Sequence, residues 1–138
     1  MTVLFDTCIL LDFLLDREPF ADDAEQLLLM IALNDIKGFI TVKSLMDIHY
    51  VLKHVTHDEE KVRSALSILL DTFWLVNSNA EDAINALTSK ARDYEDALMI
   101  ETAISCHSDC IITRNTKDYC NSAVKTYEPQ EFLRLYQK

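Results

Sequence analysis

Short, unbroken apolar runs alternate along this chain with longer stretches in which apolar residues recur at helical spacing. The first run, Thr2-Val3-Leu4-Phe5, reads as a strand ending at Asp6, and Thr7-Cys8-Ile9-Leu10-Leu11-Asp12-Phe13-Leu14-Leu15 turns directly into an amphipathic helix. Pro19 and Phe20 open a second helix, with Ala24, Leu27, Leu28, Ile31 and Ala32 in register through Asn34. Gly38 marks a turn into a short strand, Phe39-Ile40-Thr41. The next helix spans Val42–Lys53 and carries Val42, Leu45, Met46, His49 and Leu52 on one face. Beyond the polar break Thr56–Glu60, the pattern predicts a helix over Lys61–Asp71 and a strand over Phe73–Val76. Helices over Ala80–Ala91 and Tyr94–His107 follow. Cys110–Thr113 is a strongly apolar strand, Ala123–Tyr127 a weaker one, and Pro129 starts a last helix carrying Phe132, Leu133, Leu135 and Tyr136. Strands that do not alternate in polarity, separated by helices, point to a buried parallel sheet covered on both faces.

Composition narrows this picture to one ordinary globular domain, 1–138. With Gly 1 and Pro 2 there is no glycine-rich phosphate loop, no dinucleotide fingerprint and no Gly-x-Ser-x-Gly elbow. No apolar run approaches the ~20 residues that span a bilayer, and the N-terminus lacks a secretory layout, so a cytoplasmic location without membrane contact is expected. Cys8, Cys106, Cys110 and Cys120 read as reduced thiols, with Cys106-x-x-x-Cys110 around His107 a loose zinc arrangement. A net charge of −10 argues against broad neutralisation of nucleic-acid phosphates. It is compatible with an enzyme that meets phosphates through divalent cations, and it attracts basic partners.

The acids fall where they can converge. Asp6 ends the first strand, at the sheet edge where ligands of α/β folds collect. Asp47 lies in the helix after the second strand, Asp93 and Asp96 share one side of a first helical turn, and Asp118 follows the strand Cys110–Thr113. Each also has a plain explanation. Asp6 or Thr7 can cap a helix, Asp47 can pair with Lys43, Asp93 can cap the next helix and Asp118 can close a turn. If the carboxylates do meet, their repulsion demands a counter-cation. An oxygen-rich set without histidine suits Mg²⁺ or Mn²⁺, and the chemistry implied is phosphodiester hydrolysis.

Val3-Leu4-Phe5-Asp6-Thr7-Cys8-Ile9-Leu10-Leu11-Asp12, Asp93-Tyr94-Glu95-Asp96-Ala97-Leu98 and Ile112-Thr113-Arg114-Asn115-Thr116-Lys117-Asp118-Tyr119 closely resemble, in order and spacing, the motifs of PIN-domain nucleases. The resemblance runs on to Tyr127–Leu133, and the length is similar to VapC-type toxins of toxin–antitoxin pairs. It implies a three-layer α/β/α sandwich with a mainly parallel central sheet, and a Mg²⁺- or Mn²⁺-dependent endoribonuclease site. Asp6 then matches the first metal ligand and Asp96 the ligand of the third motif. Asp47 stands where many members have glutamate, and as the shorter side chain it is expected to reach the metal only through water. Either Asn115 or Asp118 completes the set. Asp93 becomes a supporting or capping acid, and the Thr113 hydroxyl orients a water or a carboxylate. The resemblance also implies an RNA substrate, a homodimer, and a cognate antitoxin that presents a basic side chain to the site.

Further readings stay open at this level. Arg114 and Lys117 either contact RNA phosphates or balance the nearby acids. His49 reads as a core residue beside Tyr50, while His54 and His57 read as solvated loop residues. Phe73, Trp74 and Tyr94 are expected to pack, and the run Leu27–Ile31 exceeds one buried stripe, which suggests a subunit or antitoxin interface. Two other functions compete: a catalytically weak PIN-like binding module, and a haloacid-dehalogenase-type phosphatase. The phosphatase needs an aspartate two residues after the first, where this chain has Cys8.

Overall fold

A computed structural model describes residues 1–91 and 93–138. Five strands, β1 (Thr2–Phe5), β2 (Lys37–Thr41), β3 (Trp74–Val76), β4 (Cys110–Ile112) and β5 (Lys125–Tyr127), form one sheet in the order β3-β2-β1-β4-β5. Every pairing is parallel. β1 therefore sits in the middle, and the carboxyl ends of all five strands share one rim. Side chains of successive strand residues leave opposite faces, so Val3 and Phe5 enter one core and Leu4 the other. The first core joins Val3, Phe5, Ile40, Cys110 and Ile112 to α1 (Thr7–Leu14), α2 (Ala21–Ala32), α3 (Val42–Thr56), α4 (Glu59–Thr72) and α7 (Pro129–Tyr136). The second joins Leu4, Phe39 and Ile111 to Ile100 and Ala103 of α6 (Tyr94–Ser105), beside α5 (Ala80–Ala86). This is the three-layer α/β/α arrangement expected from the sequence.

Local signals account for most helix starts. Thr41 caps α3 by accepting from the Ser44 N–H, and Asp58 caps α4 by accepting from Glu60 and Lys61. Asn79 and Asp82 form a reciprocal capping box at α5. Asp93 caps α6 through the Asp96 N–H at 2.9 Å. Asp6 precedes α1 in the same position, yet its side chain accepts no capping bond. That exception belongs to the site described below.

The structure departs from the sequence expectations in several places. Gly38 lies inside β2 rather than in a turn before it, because a Cβ there would meet Ile31 Cδ1 at 2.6 Å and the Phe73 ring at 2.7 Å. α5 ends at Ala86, short of Ala91. Most of the Leu27–Ile31 run packs within the chain, because α2 is flanked by α1, α4 and α7, while Leu29 is left on the surface. Phe73 packs edge-on against Phe5, but Trp74 is 61% exposed with Lys37 Nζ over its ring at 3.8 Å. Tyr94 is half-exposed and its hydroxyl donates to the Ala83 carbonyl. His49 is not a core residue: it is half-buried, with Nε2 3.0 Å from the Glu59 carboxylate. His54 falls in the last turn of α3, not in a loop.

Two outcomes test this packing. Gly38→Ala lowers stability by about 1–3 kcal/mol in denaturant unfolding, since the Phe73 ring cannot move aside cheaply. Among the thiols, Cys120 is exposed, whereas Cys110 is buried in β4 and burial pushes its thiol up to about 12. A chromogenic disulfide reagent therefore modifies Cys120 in the native protein and reaches Cys110 only on unfolding. Modification of both at one rate in native buffer would contradict a buried β4.

Candidate active site

The carboxyl rim of the sheet opens into a cleft of about 290 Å³, lined by Asp6, Thr41, Lys43, Asp47, Asp96 and Asn115 among others. Asp6 reaches it from the end of β1, Thr41 from β2, Asp96 from the first turn of α6, and Asn115 from the segment after β4. The Thr113 hydroxyl donates to Asp6 Oδ2 at 2.7 Å and itself accepts from the Asn115 N–H at 3.0 Å. This bond takes the place of a helix cap and fixes the Asp6 carboxylate at the sheet edge. Asp93 is the helix cap and Asp96, three residues on, faces the cleft.

Electrostatics identify Asp96 as the strained member. Burial, followed by the charges of Asp93, Asp118 and Asp6, pushes its carboxyl up to about 6. Among the described residues no cation pairs with either Asp6 or Asp96. Asp47 is different. Lys43 pairs with it at 2.6 Å and also with Glu95, bridging α3 to α6 across the cleft mouth. Burial acts to lower the Lys43 ammonium, but its bonds to Asp47 and Glu95 outweigh this and raise it. Asp118 sits in a 3₁₀ turn, Thr116–Tyr119, where its N–H donates to the Asn115 carbonyl and its charge bears on Asp96. Asn115 thus lines the cleft and Asp118 acts on it electrostatically.

Several participants were not foreseen from the sequence. Thr7 and Thr41 both hydrogen-bond the buried Ser44 hydroxyl, at 2.8 and 3.0 Å, tying the starts of α1 and α3 together one turn before Asp47. Glu95 and Tyr119 also line the cleft; burial, then the charges of Asp6 and Asp96, raise the Tyr119 phenol and keep it protonated. Arg114 is resolved toward balancing an acid rather than meeting phosphate. Its Nε and Nη2 reach Asp12 Oδ2 and Oδ1 at 2.7 and 3.2 Å. A signal for that pair existed: Asp12 is a lone acid within an apolar helix, a position that requires a partner. Lys117 is exposed in the 3₁₀ turn and does not line the cleft.

The donor set contains carboxylates, an amide and hydroxyls, which suits a hard divalent cation. Among the described residues, no three His, Cys, Asp or Glu side chains are already drawn together as a metal cage. The physical reason lies in the contacts above: Lys43 holds Asp47, Thr113 holds one oxygen of Asp6, and like charge works against bringing Asp96 closer. The zinc arrangement is also absent, since Cys110 is buried in the sheet while Cys106 Sγ lies 3.1 Å from the Ser108 hydroxyl. Cys8 offers no acid–base group of the phosphatase kind. Burial and the neighbouring Asp6 push its thiol up to about 11.

Comparison with curated protein sequences finds no match. Solved structures do resemble this fold. A toxin–antitoxin complex from Klebsiella pneumoniae contains a chain that is 29% identical, with a TM-score of 0.67, covering 92% of this chain and 97% of that one. VapBC2 from Rickettsia felis, bound to a DNA fragment from its promoter, aligns with a TM-score of 0.71 at 17% identity, covering 93% and 98%. VapBC-1 from nontypeable Haemophilus influenzae aligns with a TM-score of 0.67 at 13% identity, covering 94% and 99%. VapBC complexes thus share this fold, and the PIN domain family matches residues 2–117, so the chain belongs to that family.

Proposed function

We propose that the chain is a Mg²⁺- or Mn²⁺-dependent endoribonuclease acting as the toxin of a toxin–antitoxin pair. The observation that carries this is the meeting of Asp6, Asp47 and Asp96, from three separate elements, in one cleft at the carboxyl edge of the sheet. Asp6 and Asp96 would hold the cation, with the Asn115 amide beside them and Asp47 reaching it through water. A divalent ion in such a site neutralises the carboxylates, activates an attacking water and steadies charge on the leaving oxygen. Thr113 keeps Asp6 oriented, Asp93 supports Asp96 from its capping position, and Asp118 adds negative charge from the 3₁₀ turn. Lys117 is the remaining candidate for an RNA phosphate. The likeness to chains of toxin–antitoxin complexes supports a cognate antitoxin, and a homodimer is part of the same reading. A net charge of −10 favours a basic antitoxin segment entering the cleft. Among the described residues no helix is long and apolar enough to cross a membrane, and a cytoplasmic site of action is part of this reading.

Asp6→Asn and Asp96→Asn should leave the circular dichroism spectrum unchanged and reduce RNA cleavage in Mn²⁺ by at least ~100-fold. Cleavage at the parent rate by both variants would sink the assignment. Calorimetric titration with Mn²⁺ separates the enzyme from a binding module, which would show no heat dependent on Asp6 and Asp96.

The raised Asp96 carboxyl gives a second test, with a defined sign. A carboxyl that titrates higher when folded favours folding only while protonated, so its penalty appears as pH rises from about 4 through about 6. In chelator at pH 8, Asp96→Asn should melt above the parent, and the gap should close as pH falls towards 4. Mn²⁺ should raise the melting temperature of the parent and leave that of Asp96→Asn nearly unmoved.

A further inference from the structure

Asp12 does not line the cleft, yet it is 1% exposed and met by two arginines. Arg114 meets it with two donors, Nε to Oδ2 at 2.7 Å and Nη2 to Oδ1 at 3.2 Å. Arg17 Nη1 stands 3.8 Å from Oδ1. The Arg114 guanidinium lies over the Phe20 ring, its central carbon 4.1 Å from the ring centroid. Two tines and a ring face fix the guanidinium plane in a way a single contact cannot.

What makes this pair more than a staple is its place in the chain. Arg114 sits between Thr113 and Asn115, so holding its side chain holds the peptide that follows. That peptide presents the Asn115 N–H to Thr113 Oγ1 at 3.0 Å. With a lone pair of the hydroxyl so occupied, its single proton is turned towards Asp6 Oδ2 at 2.7 Å. Asp6 lines the cleft, and its Oδ1 has no hydrogen bond to the described residues. The backbone of β4 alone does not dictate this. Thr113 N–H already bonds the Tyr127 carbonyl, which places the residue and leaves its hydroxyl rotor free.

We propose that Asp12 is a positioning residue of the metal site, acting through Arg114, the Asn115 N–H and the Thr113 hydroxyl to set which oxygen of Asp6 is offered to the cation. This rests on the metal-site reading above and deepens it. A residue that merely fastened α1 to the end of β4 would affect melting temperature and leave metal affinity alone.

The test is Mn²⁺ calorimetry on the full chain for the parent, Asp12→Asn, Arg114→Lys, Thr113→Val, Asp6→Asn and the Asp12→Asn/Thr113→Val double variant, with melting temperatures in chelator. Each of the first three variants should weaken Mn²⁺ binding about 10- to 100-fold, the usual effect of removing an outer partner of a ligand. The double variant should bind no more weakly than Thr113→Val, because both changes act through one hydroxyl. Arg114→Lys keeps the cation but loses the fork, so it reports the same loss if Asp12→Asn does not fold. Lowered melting temperature with parental Mn²⁺ affinity in Asp12→Asn and Arg114→Lys would overturn the inference, as would strictly additive losses in the double variant. In either case abolished binding in Asp6→Asn would leave the metal site standing. Parental binding by Asp6→Asn would instead bring down the metal site and this inference with it.

Discussion

The parallel pairing of β1 with β4 is the constraint from which the site follows. It sets Phe5 opposite Ile112, so the residues just beyond, Asp6 and Thr113, meet although 107 positions separate them. No local preference brings them together. The register is fixed because sliding either strand by one residue would drive Val3, Phe5 and Ile112 out of one core and Leu4 and Ile111 out of the other. The apolar cores therefore hold the polar geometry at the rim. Asp6 shows the consequence, since it sits at a helix start and yet spends its carboxylate on Thr113 instead of the cap.

The acids of this chain divide by what neutralises them. Asp12 is buried and met by a bidentate arginine, which is how a dry carboxylate is tolerated. Asp47 is half-exposed and shares Lys43 with Glu95, a pairing that water screens. Asp58 and Asp93 are absorbed by helix starts. Asp6 and Asp96 have no cation partner among the described residues, and Asp96 carries the electrostatic cost. The contrast between this pair and its better-satisfied neighbours is what marks the candidate site.

Much of this was legible in the sequence because strand-end positions are. Once β1 and β4 are recognised as buried apolar runs, Asp6 and the Thr113–Asn115 segment must lie on one rim. Asp96 was legible for a different reason, lying in a first helical turn three residues after a capping aspartate. The roles of the neighbours were not. Whether Lys43 faces Asp47 alone or also reaches Glu95 depends on how closely α3 approaches α6, and the sequence carries no such distance. His49 read as apolar core because its helix face is apolar, while its partner Glu59 arrives from the next helix. Gly38 read as a turn because turns are the usual reason for a glycine. Here the reason is the crowding of Ile31 and Phe73 against β2.

Asp12 shows what a strict reading of polarity can add. An acid between Leu11 and Phe13, in a helix whose other members are nearly all apolar, is either exposed at the helix surface or buried with a fork-shaped cation. The buried residues of α1 decide between these: Ile9, Leu10, Leu11 and Asp12 all face inwards, so the acid comes with its partner. That partner is drawn from the segment that also supplies Thr113 and Asn115. A single ion pair thus ties the helix following Asp6 to the loop that orients Asp6. The two ends of the first motif and the start of the last one are thereby held as one rigid unit, with the carboxylate at its centre. Water screens the Lys43–Asp47 pair at the cleft, whereas Asp12 is buried, so the Asp12–Arg114 contact is set by folding itself.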